Sequence, residues 1–413
     1  MKNKFEIGFL GLLVMACQQN GPMNSDGERD NYIRFSTPTI IVETNTRSVT
    51  QNALEIGDRF GVLGYCVPYM VGTTTLQYQS GTSLWSTKYK QCPPNIFYKE
   101  PVTVNNGFCS YDNPKQWYRN NTDIDGSDKS DVVNADDYRY TFYAYYPYYD
   151  TDPVFRIDAP AAQNTAGAPK ITFTMPQSGN EIGTPLDHSE TPDAMFGVLY
   201  NHQKTQGNLA FNFSHLLTAL GFEVNNFSDY ELKVHSITLS GKFFKEILLD
   251  FSQTGVLTYS FPERYYTGSY TIFSEEQNNG KPLVLSAPET GVDRTTSALL
   301  PKNDQGEGEH ILLISGKAPY FGPETGNLDE NMNIVHVYID YTFNNLRKNF
   351  SSARPATFTP QPGTKYTAQL NFVGEAFVLQ FVVANNEEWE NGGSDDDPGI
   401  DNEEDGDGDV IFE

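Results

Sequence analysis

The chain has 413 residues, a formal net charge of −25 and many aromatic residues, with 25 Tyr and 27 Phe. Its length suits two or three domains, each with its own core. The negative charge, with no clustered Lys and Arg, excludes a protein that binds nucleic acid through the phosphate backbone. The 27 residues from Glu387 to the end carry 13 acidic and no basic side chains, which leaves −12 for the rest of the chain. The sequence therefore predicts a moderately acidic body and an acidic tail over residues 387–413.

The N-terminus combines Lys2 and Lys4 with an apolar run over residues 7–16, followed by Cys17. The run is too short to span a bilayer as a helix, and the pattern is typical of a lipoprotein signal peptide over residues 1–17. Cys17 is then the lipidated residue, and acyl chains hold the mature protein on a membrane. An ordinary signal peptide with an incidental cysteine is the alternative. The polar residues 18–31 form a tether.

Residues 32–48 form the first predicted strand. Apolar side chains at Ile33, Phe35 and Ile41 are separated by polar or small residues, which indicates a strand with one buried face. Pro38 interrupts this pattern, and proline in a strand is tolerated at a sheet edge or a bulge. We therefore expect the segment at the rim of its sheet, where a strand can be exchanged. Pairing on both sides deep within a sheet would argue against exchange.

A polar turn follows this strand and contains Arg47, with Ser48 directly after it. A trypsin-like protease can reach an arginine in such a turn, so cleavage between Arg47 and Ser48 is a hypothesis of the sequence. The alternative is an ordinary first strand followed by a solvated arginine.

The high Tyr and Phe content and the lack of long helical windows predict an all-β protein built of antiparallel sandwiches. We expect one β-sandwich over residues 32–207, a second over 208–386, and a single helical turn within residues 215–220. The tyrosine-rich run 138–149 predicts a strand that packs in the core, with stacking on sugar rings as the alternative. The other main strands are expected at residues 59–65, 170–175, 193–199, 232–239, 255–260, 310–315, 334–343, 364–372 and 377–384.

Three cysteines follow Cys17, namely Cys66, Cys92 and Cys109, and outside the cytoplasm they allow one disulfide and one free thiol, in a pairing that spacing does not decide. No metal or cofactor motif is present, and the six histidines are scattered, so neither an enzyme nor a cofactor is predicted. In the tail the alternating acids at 405, 407 and 409 have calcium-loop spacing, but the glycine and glutamate of such a loop are missing.

Several motifs, taken in their order along the chain, resemble those of the fimbrillin family. This family comprises the type V pilins and the tip or anchor subunits of Bacteroides-type bacteria, and the resemblance is strongest to its Mfa-like branch. The matching pieces are the cysteine box at residue 17, the strand ending at Thr46–Arg47, and the stretches 57–65, 140–147, 192–195 and 211–215. The resemblance covers the first half well and the second half only by its strand pattern.

The resemblance implies two tandem transthyretin-like β-sandwich domains and a role in fimbria assembly and adhesion. It implies that an arginine-specific protease cuts after Arg47, that the lipidated first strand leaves, and that a strand of another subunit fills the vacated groove. The implied partners are other fimbrial subunits, the outer membrane through the N-terminal lipid before maturation, and a host or bacterial surface receptor.

One feature departs from the family pattern. A shaft subunit should end in an apolar donor strand, whereas residues 385–413 are acidic and rich in glycine. This departure favours a tip or accessory subunit, unless the short run 410–412 donates. A second function class stays open, a surface lipoprotein that keeps its first strand and binds glycans through exposed Tyr and Trp without polymerising.

Overall fold

The computed structural model describes residues 32–40, 53–68, 96–117, 138–150, 154–158, 170–253, 256–262, 264–303, 305–315, 335–351 and 360–383. These ranges contain β-strands and two short 3-10 turns, His188–Glu190 and Lys204–Gln206. None of the helical segments in these ranges has the length and apolar character needed to cross a bilayer. The predicted all-β fold class is confirmed.

The strands are numbered in chain order. The first eleven are β1 Thr39–Ile40, β2 Arg59–Pro68, β3 Phe97–Val104, β4 Cys109–Ser110, β5 Tyr138–Tyr146, β6 Phe155–Asp158, β7 Lys170–Thr174, β8 Asn180–Leu186, β9 Met195–His202, β10 Asn212–His215 and β11 Thr218–Asn226. The others are β12 Leu232–Phe244, β13 Glu246–Gln253, β14 Val256–Ser260, β15 Tyr265–Ser274, β16 Leu283–Leu285, β17 Thr295–Thr296, β18 Ile311–Leu313, β19 Val335–Phe343, β20 Leu346–Ser351, β21 Lys365–Val373 and β22 Ala376–Val383.

These strands form four sheets. The seven-stranded sheet has the order β1-β10-β9-β5-β2-β3-β4, and the four-stranded sheet has the order β14-β13-β7-β6. The six-stranded sheet runs β20-β19-β12-β15-β8 with β16 beside β12, and the five-stranded sheet runs β17-β11-β21-β22 with β18 beside β11. Most pairs are antiparallel, as expected. The pairs β1–β10, β8–β15 and β11–β21 are parallel, so three of the sheets are mixed.

The sheets do not follow the predicted division between residues 207 and 208. Strands β7 and β8, from the first half of the chain, pair with β13 and β15 from the second half. In return, β10 pairs with β9 and extends the seven-stranded sheet of the first half. A cut at residue 207 would separate hydrogen-bonded strands, and the tandem transthyretin-like arrangement stays a prediction.

The seven-stranded sheet is buried on both faces, and the tyrosine-rich strand β5 shows this most clearly. Tyr140 is fully buried in one apolar cluster, together with the first segment of the chain. Tyr143 and Tyr145 are buried in the other, larger cluster, which extends into the remaining sheets. The predicted core role of this strand is confirmed, because these three rings pack inside the protein.

The helical turn predicted within residues 215–220 is wrong. His215 ends β10, and Thr218 begins β11. All residues of β11 except Glu223 are buried, so the strand lacks the alternation of polar and apolar side chains that marks a half-exposed strand. A short apolar run without alternation does not distinguish a buried strand from a helical turn.

Candidate functional site: the first segment and its groove

Residues 32–40, called here the first segment, close a gap between the two ends of the seven-stranded sheet. On one side, β1 pairs in parallel with β10, and Phe35 forms a bridge with Leu209. On the other side, Phe35 bridges to Cys109 of β4 and Tyr32 bridges to Gln116. The expectation that this segment lies at a rim is therefore wrong around Phe35, because it has neighbours on both flanks. Among the described residues its pairing consists of these bridges and one two-residue ladder.

Spaced backbone hydrogen bonds hold the segment to its two flanks. Toward β10, Leu209 N donates to Arg34 O at 2.8 Å, and Ser36 N donates to Leu209 O at 2.9 Å. Toward the other flank, Ile33 N donates to Lys115 O at 2.8 Å. Such bonds involve only backbone atoms, so they position a strand whatever its side chains are.

A bulge lies at Pro38. Phe35 pairs with Leu209, and Thr39 pairs with Asn212. Between these two pairs the segment advances by four residues and its neighbour by three, so the segment contains one extra residue. One extra residue in a strand shifts which side chains point inward. Pro38 is buried as a result. Proline fits here because the extra residue of a bulge does not need to donate to the ladder.

The side chains of the segment insert into the core. Ile33 and Phe35 are 1% and 2% exposed, and Ile40 is half-buried against the same cluster. Four aromatic rings surround the Phe35 ring with centroids at 5.3 to 6.3 Å, namely Tyr111, Phe97, Phe60 and Phe211. The burial predicted for Ile33 and Phe35 is observed, whereas Ile41 lies outside the described residues.

Tyr111 fastens the segment from the β4 side. Its hydroxyl donates to Ile33 O at 2.8 Å and accepts from Lys115 N at 3.0 Å. Burial raises the pKa of Tyr111 to about 12, so the hydroxyl stays protonated and remains a donor at neutral pH. No pattern in the sequence predicts this role, because no strand is predicted around Tyr111.

Cys109 lies beneath the segment as a free, buried thiol. Its Sγ is 3.5 Å from Ser36 O, and its backbone N donates to Phe35 O at 3.3 Å. Burial raises the pKa of this thiol to about 11, which keeps it unreactive while the segment is in place. Within the described ranges Cys109 has no disulfide partner. Cys92 lies outside the described residues.

Several predicted residues also lie outside the described ranges. These are the lipidation residue Cys17, the cleavage pair Arg47 and Ser48, and the acidic tail. The predicted cleavage pair falls between two described ranges, of which one ends at Ile40 and the next begins at Ala53. Lipidation and cleavage therefore stay predictions.

Two histidines pair with carboxylates inside the fold. Buried His215 Nδ1 lies 2.8 Å from Asp193 Oδ1. His235, at a bulge of β12, is 2.8 Å from Glu275 and 2.7 Å from Thr342. Both arrangements join neighbouring elements, as expected for structural histidines. Within the described ranges no group of three or more His, Cys, Asp or Glu side chains is placed to hold a metal ion.

Comparison with known proteins gives the family. The sequence model described as fimbrillin-like matches residues 46–387. The fimbrium subunit Fim1C of Phocaeicola vulgatus is 26% identical over 218 residues, a match that spans 51% of this chain and 47% of that protein. The chain thus covers about half the length of this curated relative.

Solved structures give weaker similarity. A fimbrial protein from Bacteroides vulgatus aligns with a TM-score of 0.45 and 16% identity, over 86% of this chain and 99% of that one. The tip fimbrial protein Mfa3 from Porphyromonas gingivalis aligns with a TM-score of 0.32 and 8% identity, over 86% and 99% of the two chains. These scores are too low to carry an argument about function. With the family match covering most of its length, the chain belongs to the fimbrillin-like family.

Proposed function

We propose that this protein is a structural or adhesive subunit of a cell-surface fimbria that assembles by loss of its first strand and strand exchange. The observation that carries the proposal is the position of the first segment. It fills a gap between β4 and β10 with few backbone hydrogen bonds, yet it supplies Ile33 and Phe35 to the core. Its location after a predicted lipid anchor and before Arg47 makes it removable by a single cut.

The physical drive for exchange follows from what removal would leave. Backbone groups on both flanks lose their partners, and the rings around Phe35 lose their central contact. Burial of apolar surface is worth about 25 cal/mol per Å², so a strand that refills the groove is bound strongly. A strand supplied by one subunit to the next makes a heterologous contact, which builds a filament instead of a closed dimer.

Export as a lipoprotein completes the proposed route. Cys17 carries the acyl chains, the outer membrane holds the precursor through them, and cleavage after Arg47 releases the body from its anchor. The acidic residues 387–413 lack the apolar alternation of a donor strand. We also propose a tip or accessory position for the subunit, in which it needs only to accept a strand.

Replacement of Arg47 tests the maturation step. In cells, the Arg47→Ala protein should fold and reach the surface but keep its lipidated N-terminus, and it should be missing from fibres. Edman sequencing or mass spectrometry of the N-terminus measures this, with Ser48 as the expected first residue of the mature wild-type subunit.

Arg29→Ala is the matched control, because Arg29 precedes the first segment and a cut there would not release it. Fibres that contain normal amounts of the Arg47→Ala protein would contradict the proposal. Retention of lipidated Cys17 in wild-type protein, together with capture of glycans by the intact chain, would favour the glycan-binding lipoprotein instead.

A further inference from the structure

The pocket around Phe35 is shaped for an aromatic ring. Phe60 and Tyr111 meet the ring edge-on at interplanar angles of 80° and 88°, while Phe211 stacks at 18°. Phe97, the fourth wall, packs closely on Gly64, where an added Cβ would lie 3.0 Å from its ring. Walls that are themselves tightly packed relax little, so a smaller side chain in this pocket leaves a cavity.

The groove also has a fixed spacing of inward positions. Ile33 and Phe35 point inward two residues apart, as in a regular strand. The bulge then moves the next buried position to Pro38, three residues after Phe35. A strand without the extra residue would present its exposed side chains to the core from this point onward.

The flanks add a backbone requirement. The amides of Ile33, Ser36 and Thr39 each donate to a carbonyl of the groove wall, at 2.8, 2.9 and 3.0 Å. Proline at any of these three positions would remove a donor and leave a carbonyl of the groove wall without its partner. Position 38 makes no such demand and holds a proline in the native segment.

We infer that the groove selects its incoming strand by sequence, taking an extended segment with an aliphatic residue, an aromatic residue two positions later and a small apolar residue three positions after that. The inference rests on the proposed strand exchange and specifies the partner that the groove accepts. The walls of the Phe35 pocket select an aromatic side chain at that position. The bulge selects a strand in which the next inward residue follows three positions later.

A peptide exchange experiment tests the inference on the full-length chain. A site for a sequence-specific protease replaces residues 44–47, so that cutting does not depend on Arg47 or reach Arg34. After cleavage, a fluorescent peptide with the sequence of residues 32–40 is added in excess, and fluorescence anisotropy follows its binding. Peptides with Arg34→Lys, with Phe35→Ala and with Thr37 deleted are compared with the native peptide.

The native and Arg34→Lys peptides should bind about equally well, because this substitution keeps the positive charge at an exposed position. Loss of a buried Phe side chain should weaken binding by about 100-fold or more, and deletion of Thr37 by at least about tenfold. In the protein, Tyr111→Phe keeps the ring but removes the bond to Ile33 O, and it should weaken the native peptide about fivefold.

The outcomes separate the two proposals. If the Phe35→Ala and Thr37-deleted peptides bind as well as the native peptide, selection by sequence is wrong while strand exchange stands. If no peptide binds, including the native one, the groove does not accept strands and both proposals are wrong.

Discussion

Thr37 is the residue of the first segment whose burial is least favourable. Among the described residues nothing accepts from or donates to its buried Oγ1, and a buried hydroxyl without a partner lowers stability. Its neighbour Thr39, two positions on, is exposed and hydrogen-bonds to Asn212.

Replacement of Thr37 by valine should therefore stabilise the protein. Valine has the same shape and no hydroxyl, so we expect a gain of about 1 kcal/mol in the free energy of unfolding. Urea denaturation measures the change. Thr39→Val is the matched control and should give no gain, since it removes a satisfied hydroxyl. A loss of stability in the Thr37→Val protein would show that the hydroxyl is satisfied.

Lys365 of β21 is a buried cation at the junction of β21 and β11. Burial lowers the pKa of its ammonium from 10.5 to about 7, and the charge of Asp193 opposes part of that shift. His310, also buried nearby, has its pKa lowered to about 3 by burial and by Lys365, so it is neutral above pH 6.

The buried lysine predicts a pH dependence of stability. Between pH 7 and pH 10 the unfolded chain binds a proton at Lys365 that the folded chain does not, so the free energy of unfolding should rise with pH. Above pH 10 the free energy of unfolding should fall as pH rises. Burial raises the pKa of Tyr200 and of Tyr111 to about 12, so the folded chain keeps protons that the unfolded chain loses.

Denaturation of the Lys365→Met protein from pH 7 to pH 9 measures this effect. The substitution should flatten the rise, whereas Lys281→Met, which alters an exposed lysine, should leave it unchanged. An identical slope in the Lys365→Met and wild-type proteins would contradict the assignment.

At the scale of the element, side-chain alternation predicted one strand of the seven-stranded sheet and aromatic density predicted another. The alternating stretch after Gly57 became β2, and the tyrosine run became β5, which ends at Tyr146 before Pro147. Strand β3 is absent from the predicted strands. Lys99 has a positive φ of 54° there, and the register with β2 shifts between Val62 and Gly64, so the usual pattern is broken.

The first segment shows where sequence reasoning stops. The pattern identified Ile33 and Phe35 as inward residues, and Pro38 pointed to an edge or a bulge, of which the bulge is observed. It did not show that the segment has neighbours on both flanks, because Cys109 and Leu209 are distant along the chain. The segment therefore does not lie at a free sheet edge around Phe35, as the hypothesis of strand exchange first assumed. It lies in a groove with a wall on each side.

At the scale of the whole molecule, the two halves of the chain are interleaved. The larger apolar cluster includes residues of β2 and β5 together with residues of β12, β19 and β21. The smaller cluster, around the first segment, draws only on the seven-stranded sheet and its connections. Loss of the first segment should therefore disturb the smaller cluster and leave the larger one intact, which permits a subunit to stay folded while it waits for a strand.

Protection of Cys109 against alkylation tests most directly whether the first segment leaves and is replaced. The chain with a specific protease site at residues 44–47 is treated with a maleimide under native conditions, and labelling of Cys109 is measured by peptide mass spectrometry. Strand exchange predicts a protected thiol before cleavage, rapid labelling after cleavage and removal of the released fragment, and renewed protection once a strand peptide or another subunit fills the groove. Cys109 that stays protected after the fragment has been removed, or that stays reactive in assembled multimers, would contradict it.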